Sequence, residues 1–175
     1  MAGRPPAWPE GASPVSREAL MPVAGSLAQV LFLGGLADAA LCDLRRFRIP
    51  NRDPLLLLAA FAVSATAQPP AGGWAAHLAA GAAVFAAGAV LFRLGVWGGG
   101  DVKLLAGVAL WCGFAGLGLV LGVMALAGGV LALAALAVGR ARGTAAAGEH
   151  LPYGLAIAAG AVAWWWEALA PALAS

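Results

Sequence analysis

The chain alternates long apolar blocks with short polar segments, and this pattern predicts membrane-spanning helices. Residues 21–41 and residues 74–94 form blocks long enough to cross a bilayer. The block at residues 55–67 is shorter than the roughly 20 residues that a crossing needs. Pro54 suits the first position of a helix. We therefore predict a second helix that begins at Pro54 and either continues toward Trp74 or lies in a thinned region of the bilayer.

The second half of the chain predicts further helices. An uncharged run, residues 104–138, is too long for one crossing, so we divide it near residues 113–122 into two helices joined by a tight hairpin. A polar loop at residues 140–151 precedes a last helix at residues 152–169. The predicted fold class is all-α, a polytopic membrane protein with a bundle of about six transmembrane helices. We expect a polar N-terminal tail, residues 1–20, and a transmembrane domain, residues 21–175.

The basic residues predict how this bundle is oriented. Most of the ten Lys and Arg residues fall on one side of the six-helix arrangement, and the positive-inside rule makes that side cytoplasmic. These residues are Arg45, Arg46, Arg48, Arg52, Arg93, Lys103, Arg140 and Arg142. Both termini then lie outside, and the tryptophans at positions 164–166 fall near the outer interface, where aromatic residues are common.

The composition excludes several classes of function. The chain is 62% hydrophobic and 10% charged, whereas a soluble domain carries about 25% charged residues. The net charge of +2, without interleaved basic and aromatic residues, gives no indication of a nucleic-acid partner. Cys42 and Cys112 form no CxxC pair, so we expect them to be packing residues.

Two aspartates stand at the predicted cytoplasmic ends of helices. Asp43 follows helix one and Asp101 begins helix four, and a bundle can bring these ends together although they are distant in sequence. Carboxylates at membrane depth are costly, so they are candidates for function. Two facing aspartates share one proton. The ionised carboxylate can take a proton from water while the protonated one polarises a scissile carbonyl, without a metal or a covalent intermediate.

Structural explanations compete with this chemistry. Asp101 could cap helix four, Asp43 could pair with a neighbouring arginine, and Asp38 could pair with a basic group. A transporter or ion pathway could instead use all three acids as protonatable sites, although transporters usually place such acids near the midplane and often contain paired repeats. A catalytically inactive assembly subunit is another alternative, which only an assay separates from an enzyme.

The remaining polar residues of interest have simpler interpretations. We expect Asp53 to cap helix two, together with Asn51 and Pro54. His77 and His150 are isolated, with no partner at the spacing of a metal site.

Three motifs together resemble one family, the type IV prepilin peptidases. Residues 43–51, DLRRFRIPN, resemble the family's D-x-x-x-x-x-I-P-N signature. Residues 98–104, GGGDVKL, resemble its GxGD-x-K-L signature, and residues 151–158, LPYGLAIA, resemble its P-[YF]-G-x-A-[IL] segment. They occur in the family's order, and the resemblance covers roughly residues 31–160.

The resemblance implies an intramembrane aspartyl endopeptidase that removes a short, basic leader from prepilins or pseudopilins. It implies a multi-pass protein of the bacterial inner membrane, with its active site at the cytoplasmic face, no cofactor and no metal. The sequence does not indicate an oligomeric state. By motif position, Asp43 and Asp101 would be catalytic. Further residues would bind substrate or shape the site: Gly98, Gly99, Gly100, Lys103, Pro50, Asn51, Pro152, Tyr153 and Gly154. The three glycines would let an extended substrate approach the backbone closely.

The chain departs from the family pattern in one respect. Many longer members carry an N-terminal cytoplasmic domain, often with paired CxxC motifs, and also methylate the new pilin N-terminus. This sequence has no such region. It resembles the short, peptidase-only form associated with Flp-type (tight adherence) pili, so we expect no methyltransferase activity.

Overall fold

The computed structural model describes residues 17–67, 70, 72–141 and 151–173, with side chains over the part of these between residues 22 and 168. Across these residues the secondary structure is helical and there is no strand, so the predicted all-α class is confirmed. The helices are α1 Arg17–Arg46, α2 Arg52–Ala67, α3 Trp74–Arg93, α4 Gly99–Ala141 and α5 Tyr153–Leu173. The predicted tail falls outside the description as far as residue 16, as do His150 and most of the 140–151 loop.

The two N-terminal helices differ in extent from the prediction. α1 is longer at both ends than residues 21–41. α2 ends at Ala67, so it does not continue toward Trp74, and it begins at Arg52 rather than at Pro54. Its 16 residues span about 24 Å at about 1.5 Å per residue. α2 is therefore shorter than a typical bilayer core, as its apolar block indicated.

The long fourth helix reverses direction at Gly113, inside the predicted hairpin region. Gly113 has non-helical backbone angles, φ 59° and ψ −171°. Before it, α4 runs antiparallel to α3, since Gly81 faces Leu110 and Gly88 faces Val102. After it, α4 runs antiparallel to α5, since Gly116 faces Trp164 and Gly128 faces Tyr153. The predicted division of this run is confirmed.

Helix packing is built on aromatic rings and small residues. The ring centroids of Phe32 and Trp111 lie 4.5 Å apart, and Trp111 Nε1 donates a hydrogen bond to Leu57 O at 2.9 Å. These contacts join α1, α2 and α4. Cys112 is buried beside them, as expected of a packing residue.

Many large apolar side chains remain on the outside of the bundle, which suits a lipid environment. Within the described residues, three helical stretches are long and apolar enough to cross a membrane: Pro22–Arg46, Trp74–Arg93 and Gly99–Ala141. The protein is thus a helical membrane protein, and six crossings stay a prediction.

One end of the bundle collects the polar motifs. The last turns of α1 and α3 meet the first turns of α2, α4 and α5 there, as the contacts Asp43–Gly154, Lys103–Asn51 and Phe92–Gly99 require. The opposite end holds Gly113, His77 and Trp164. His77 Nδ1 lies 2.9 Å from Leu110 O there, and its ring stacks on Phe61. The three sequence motifs therefore come together although they are far apart in the chain.

Candidate active site

Asp43 lies in the last turn of α1 and is 5% exposed. Its Oδ2 accepts a hydrogen bond from the backbone N–H of Gly154 at 2.6 Å. In both ion pairs found among the described residues, Arg52 is the cation and its partner is Asp38 or Asp53. The alternative that pairs Asp43 with a neighbouring arginine is therefore wrong for this part of the chain. Its nearest polar partner is instead the start of α5.

Asp101 is the third residue of α4, and its Oδ2 lies beside Gly98, where it would be 2.7 Å from an added Cβ. Gly98 also accepts the first helical bond, from Val102 N at 3.1 Å. Asp101 therefore lies inside the first turn of α4 and is not the cap that precedes it.

The two aspartates line one cavity of about 550 Å³, and their carboxyl groups are close enough for their charges to interact. The remaining wall is mostly apolar and aromatic, formed by Phe47, Leu91, Val96, Trp97, Gly98, Leu151 and Tyr153. Two carboxyl groups that share a mostly apolar cavity interact more strongly than they would in open water.

The three glycines before Asp101 are needed for space inside the protein. A Cβ on Gly98 would lie 2.7 Å from Asp101 Oδ2, one on Gly99 would lie 3.2 Å from Phe92 Cε2, and one on Gly100 would lie 3.0 Å from Ile49 Cβ. None of the three has a left-handed backbone. Gly98 also lines the cavity of the aspartates, and the close approach of a substrate backbone to the three glycines stays a prediction.

The connection between α1 and α2 links the helices that carry the two aspartates. Lys103 Nζ donates a hydrogen bond to Asn51 Oδ1 at 2.9 Å, which ties the connection to α4. Arg52 binds Asp38 Oδ2 at 2.6 Å, which ties it to α1. Asn51 and Lys103 do not line the cavity of the aspartates. They lie in a separate groove between α2, α3 and α4.

Ile49 is a site residue that sequence reasoning missed. A Cβ on Gly100 would lie 3.0 Å from Ile49 Cβ, and one on Gly154 would lie 3.0 Å from Ile49 Cδ1. Its side chain thus packs between the starts of α4 and α5, against Gly100, which precedes Asp101, and Gly154, which binds Asp43. Its place in the I-P-N motif was the available signal.

Three of the predicted site residues, Pro152, Tyr153 and Gly154, lie at the start of α5, and each has a different role. Gly154 holds Asp43 and Tyr153 lines the cavity. Pro152 supports the turn, since its carbonyl accepts from Leu155 N at 3.2 Å. Pro50 has a similar supporting role, accepting from Asp53 N at 3.2 Å.

Asp38 and Asp53 lie outside the cavity. The predicted pairing of Asp38 with a basic group is confirmed by its contact with Arg52. The predicted capping role of Asp53 is wrong, because α2 begins one residue earlier and Asp53 is 1% exposed, with Arg52 Nε 3.5 Å from its Oδ1.

Within the described residues, no group of three or more His, Cys, Asp or Glu side chains is arranged to hold a metal ion.

Comparison with known protein families gives one match. The sequence model of the type IV leader peptidase family matches residues 30–136, which is more than half of the chain. The matched segment contains both aspartate motifs and ends before the motif at residues 151–158. No curated protein and no solved structure matches the chain.

Proposed function

Because the chain belongs to the type IV leader peptidase family, we propose that it is an aspartyl protease in which Asp43 and Asp101 hydrolyse the peptide bond. The observation that carries the proposal is that these two carboxyl groups line one cavity. Asp43 also accepts the backbone N–H of Gly154. Such a bond fixes the orientation of this carboxyl group before substrate arrives.

The proposed mechanism uses one ionised and one protonated aspartate. The ionised carboxylate accepts a proton from a water molecule as the water oxygen bonds to the scissile carbonyl carbon. The protonated carboxyl donates its proton toward the carbonyl oxygen, which becomes a hydroxyl of the tetrahedral intermediate. When the intermediate collapses, the C–N bond breaks and the leaving nitrogen takes the proton that came from water. The second aspartate recovers its own proton, so the pair returns to its starting state.

The substrates of this reaction would be prepilins or pseudopilins. The chain itself would correspond to the short, peptidase-only form that is associated with Flp-type pili. A membrane-embedded site at one end of the bundle suits a substrate cut beside an apolar helix. Arg45, Arg46, Arg48 and Arg93 are exposed at this same end. Basic residues favour the cytoplasmic face, and we therefore propose that cleavage occurs at the cytoplasmic side of the inner membrane.

The test is cleavage of a prepilin from the same genome by the purified protein, read as a mass shift. Asp43→Asn and Asp101→Asn should each abolish cleavage without changing abundance, since asparagine keeps the shape but cannot exchange the proton. Glu167→Gln, an acid at the opposite end of the bundle, is the matched control and should retain activity. Near-normal processing by either aspartate variant would remove that residue from the mechanism.

The proposed face is tested separately with reporter fusions. Fusions after Arg48 and after Gly99 should report cytoplasm, and a fusion after Pro70 should report the outside. If the fusion after Gly99 reported the outside while the fusion after Arg48 reported cytoplasm, Asp43 and Asp101 would lie on opposite faces of the membrane. The paired-aspartate mechanism would then be excluded.

A transporter that uses Asp38, Asp43 and Asp101 is less well supported. Asp38 lies outside the cavity and is paired with Arg52, so the three acids do not line one path.

A further inference from the structure

The groove between α2, α3 and α4 has different chemistry at its two ends. The backbones of α2 and α3 stay apart over the described residues, and both helices pack on α4, which forms the floor of the groove. At the end opposite the aspartates, the ring of Phe61 on α2 contacts the rings of Trp74 and His77 on α3. The end nearer the aspartates contains Asn51 and Lys103. The groove, of about 590 Å³, therefore runs from a polar end toward an end where aromatic rings join the two helices.

The walls between these ends are apolar and lie on the outside of the bundle. Leu58, Leu78 and Phe85 line the groove, and each is about half exposed. On the floor, α4 covers about 10 Å from Lys103 to Leu110, at about 1.5 Å per residue. Apolar walls favour an apolar ligand, and a groove that is open to the bilayer is accessible to acyl chains.

Lys103 places a positive charge at the polar end of the groove. In both ion pairs found in the described part of the chain the cation is Arg52, so no acid there neutralises Lys103. Its Nζ donates one hydrogen bond, to Asn51 Oδ1 at 2.9 Å. An ammonium group has three N–H donors, which leaves two for an anion. Basic residues at a membrane surface attract anionic headgroups.

We propose that this groove binds one anionic phospholipid, with its phosphate at Lys103 and an acyl chain between α2 and α3. The polar and apolar ends of the groove match the two parts of such a lipid. The transmembrane helix of a substrate fits less well, because it has about 30 Å of apolar length, whereas the floor of the groove covers about 10 Å. Lys103 is also two residues beyond Asp101, about 200° around α4. The groove and the aspartate cavity therefore lie on different faces of α4, and the proposal does not depend on protease activity.

The charge is tested by titrating the purified full-length protein in detergent with phosphatidylglycerol and with phosphatidylcholine, with bound lipid counted by native mass spectrometry. Phosphatidylglycerol should bind more tightly. Lys103→Met should weaken its binding about fivefold, as expected for the loss of one basic residue, and Lys103→Arg should keep it. Arg93→Met is the matched control, since Arg93 is an exposed basic residue at the same end of the bundle that does not line the groove. Equal affinity for the two lipids, or an equal loss in Arg93→Met, would overturn the proposal.

The position of the acyl chain is tested by filling the groove. Ala82 on α3 lines it, so Ala82→Phe should weaken phosphatidylglycerol binding about tenfold or more while the unfolding temperature stays near that of the wild type. Ala83→Phe is the matched control, because Ala83 is exposed on the same helix and does not line the groove. Equal losses in the two variants would place the lipid elsewhere and overturn the proposal.

Competition distinguishes the lipid from other occupants. Displacement of the bound lipid by a prepilin would assign the groove to the substrate, and displacement by inorganic phosphate would show that the acyl chain contributes nothing; either result overturns the proposal. Asp101→Asn should bind phosphatidylglycerol as tightly as the wild type. Lipid binding and protease activity can therefore fail independently, and each result is read separately.

Discussion

A single methyl group at Gly154 should disturb Asp43 without removing any catalytic group. Gly154 is the second residue of α5, and its N–H binds Asp43 Oδ2. A Cβ at this position would lie 2.9 Å from Asp43 Oδ2, 3.1 Å from Asp43 Cβ and 3.0 Å from Ile49 Cδ1. Gly154→Ala therefore forces the aspartate, the isoleucine or the start of α5 to move.

The size of the movement sets the expected loss. Ordinary van der Waals contact begins at 3.4 Å, so Asp43 must move by about 0.5 Å. A displacement of about 1 Å at a catalytic site can lower the rate about a hundredfold. We therefore expect kcat for Gly154→Ala to fall about tenfold, which corresponds to about 1.4 kcal/mol of transition-state stabilisation. Folding stability should change little, because alanine favours a helix over glycine by about 1 kcal/mol and offsets part of the strain.

The assay is steady-state cleavage of a purified prepilin, with thermal unfolding measured on the same samples. Gly128→Ala is the matched control. Its Cβ would lie 3.4 Å from Cε1 of Tyr153, the residue before Gly154, and this distance is an ordinary contact. This variant should keep wild-type kcat. Wild-type kcat in Gly154→Ala would refute the argument that the start of α5 positions Asp43.

Other predictions follow from the same site. Lys103→Met and Asn51→Ala should each lower kcat about fivefold, the worth of about 1 kcal/mol, and the double variant should be no slower than either single variant. If the loss of kcat in the double variant equalled the product of the two single losses, the hydrogen bond between Lys103 and Asn51 would not be the cause. EDTA should leave the rate unchanged; loss of activity that one divalent ion restores would indicate a metal mechanism. The rate should pass through a maximum with pH, because one carboxyl of the pair must be ionised and the other protonated. A rate that keeps rising into alkaline pH would exclude the aspartate pair.

The sequence was sufficient to predict the helical class and the meeting of the two aspartates. Long apolar blocks mark the membrane segments, because hydrocarbon excludes polar side chains. They do not mark helix ends. α1 continues through Arg45 and Arg46, since charged residues can be helical once they leave the apolar region. The division of the fourth block at Gly113 was predictable because the run was too long for one crossing.

Several contacts that define the site could not be predicted. The bond from Gly154 to Asp43, the packing of Ile49 and the tie between Asn51 and Lys103 all join elements distant in sequence. The periodicity of the sequence predicts which face of one helix is apolar. It does not predict how two helices are aligned along their axes. Phe47, the first residue after α1, has a φ of +49°. No pattern of residue types predicts this angle at a phenylalanine, because glycine is usual at such a position.

The connection between α1 and α2, residues 47–51, has a length that is fixed by contacts at its end. Ile49 packs against Gly100 and Gly154, Asn51 binds α4, and Arg52, the first residue of α2, binds α1. Between Asp43 and Ile49 the chain therefore has to cover a fixed path, and an extra residue would shift all three contacts by one position. Over evolution, insertions and deletions in this connection should therefore be eliminated. For the same reason, an epitope tag or a labelling site is better placed outside the connection than inside it.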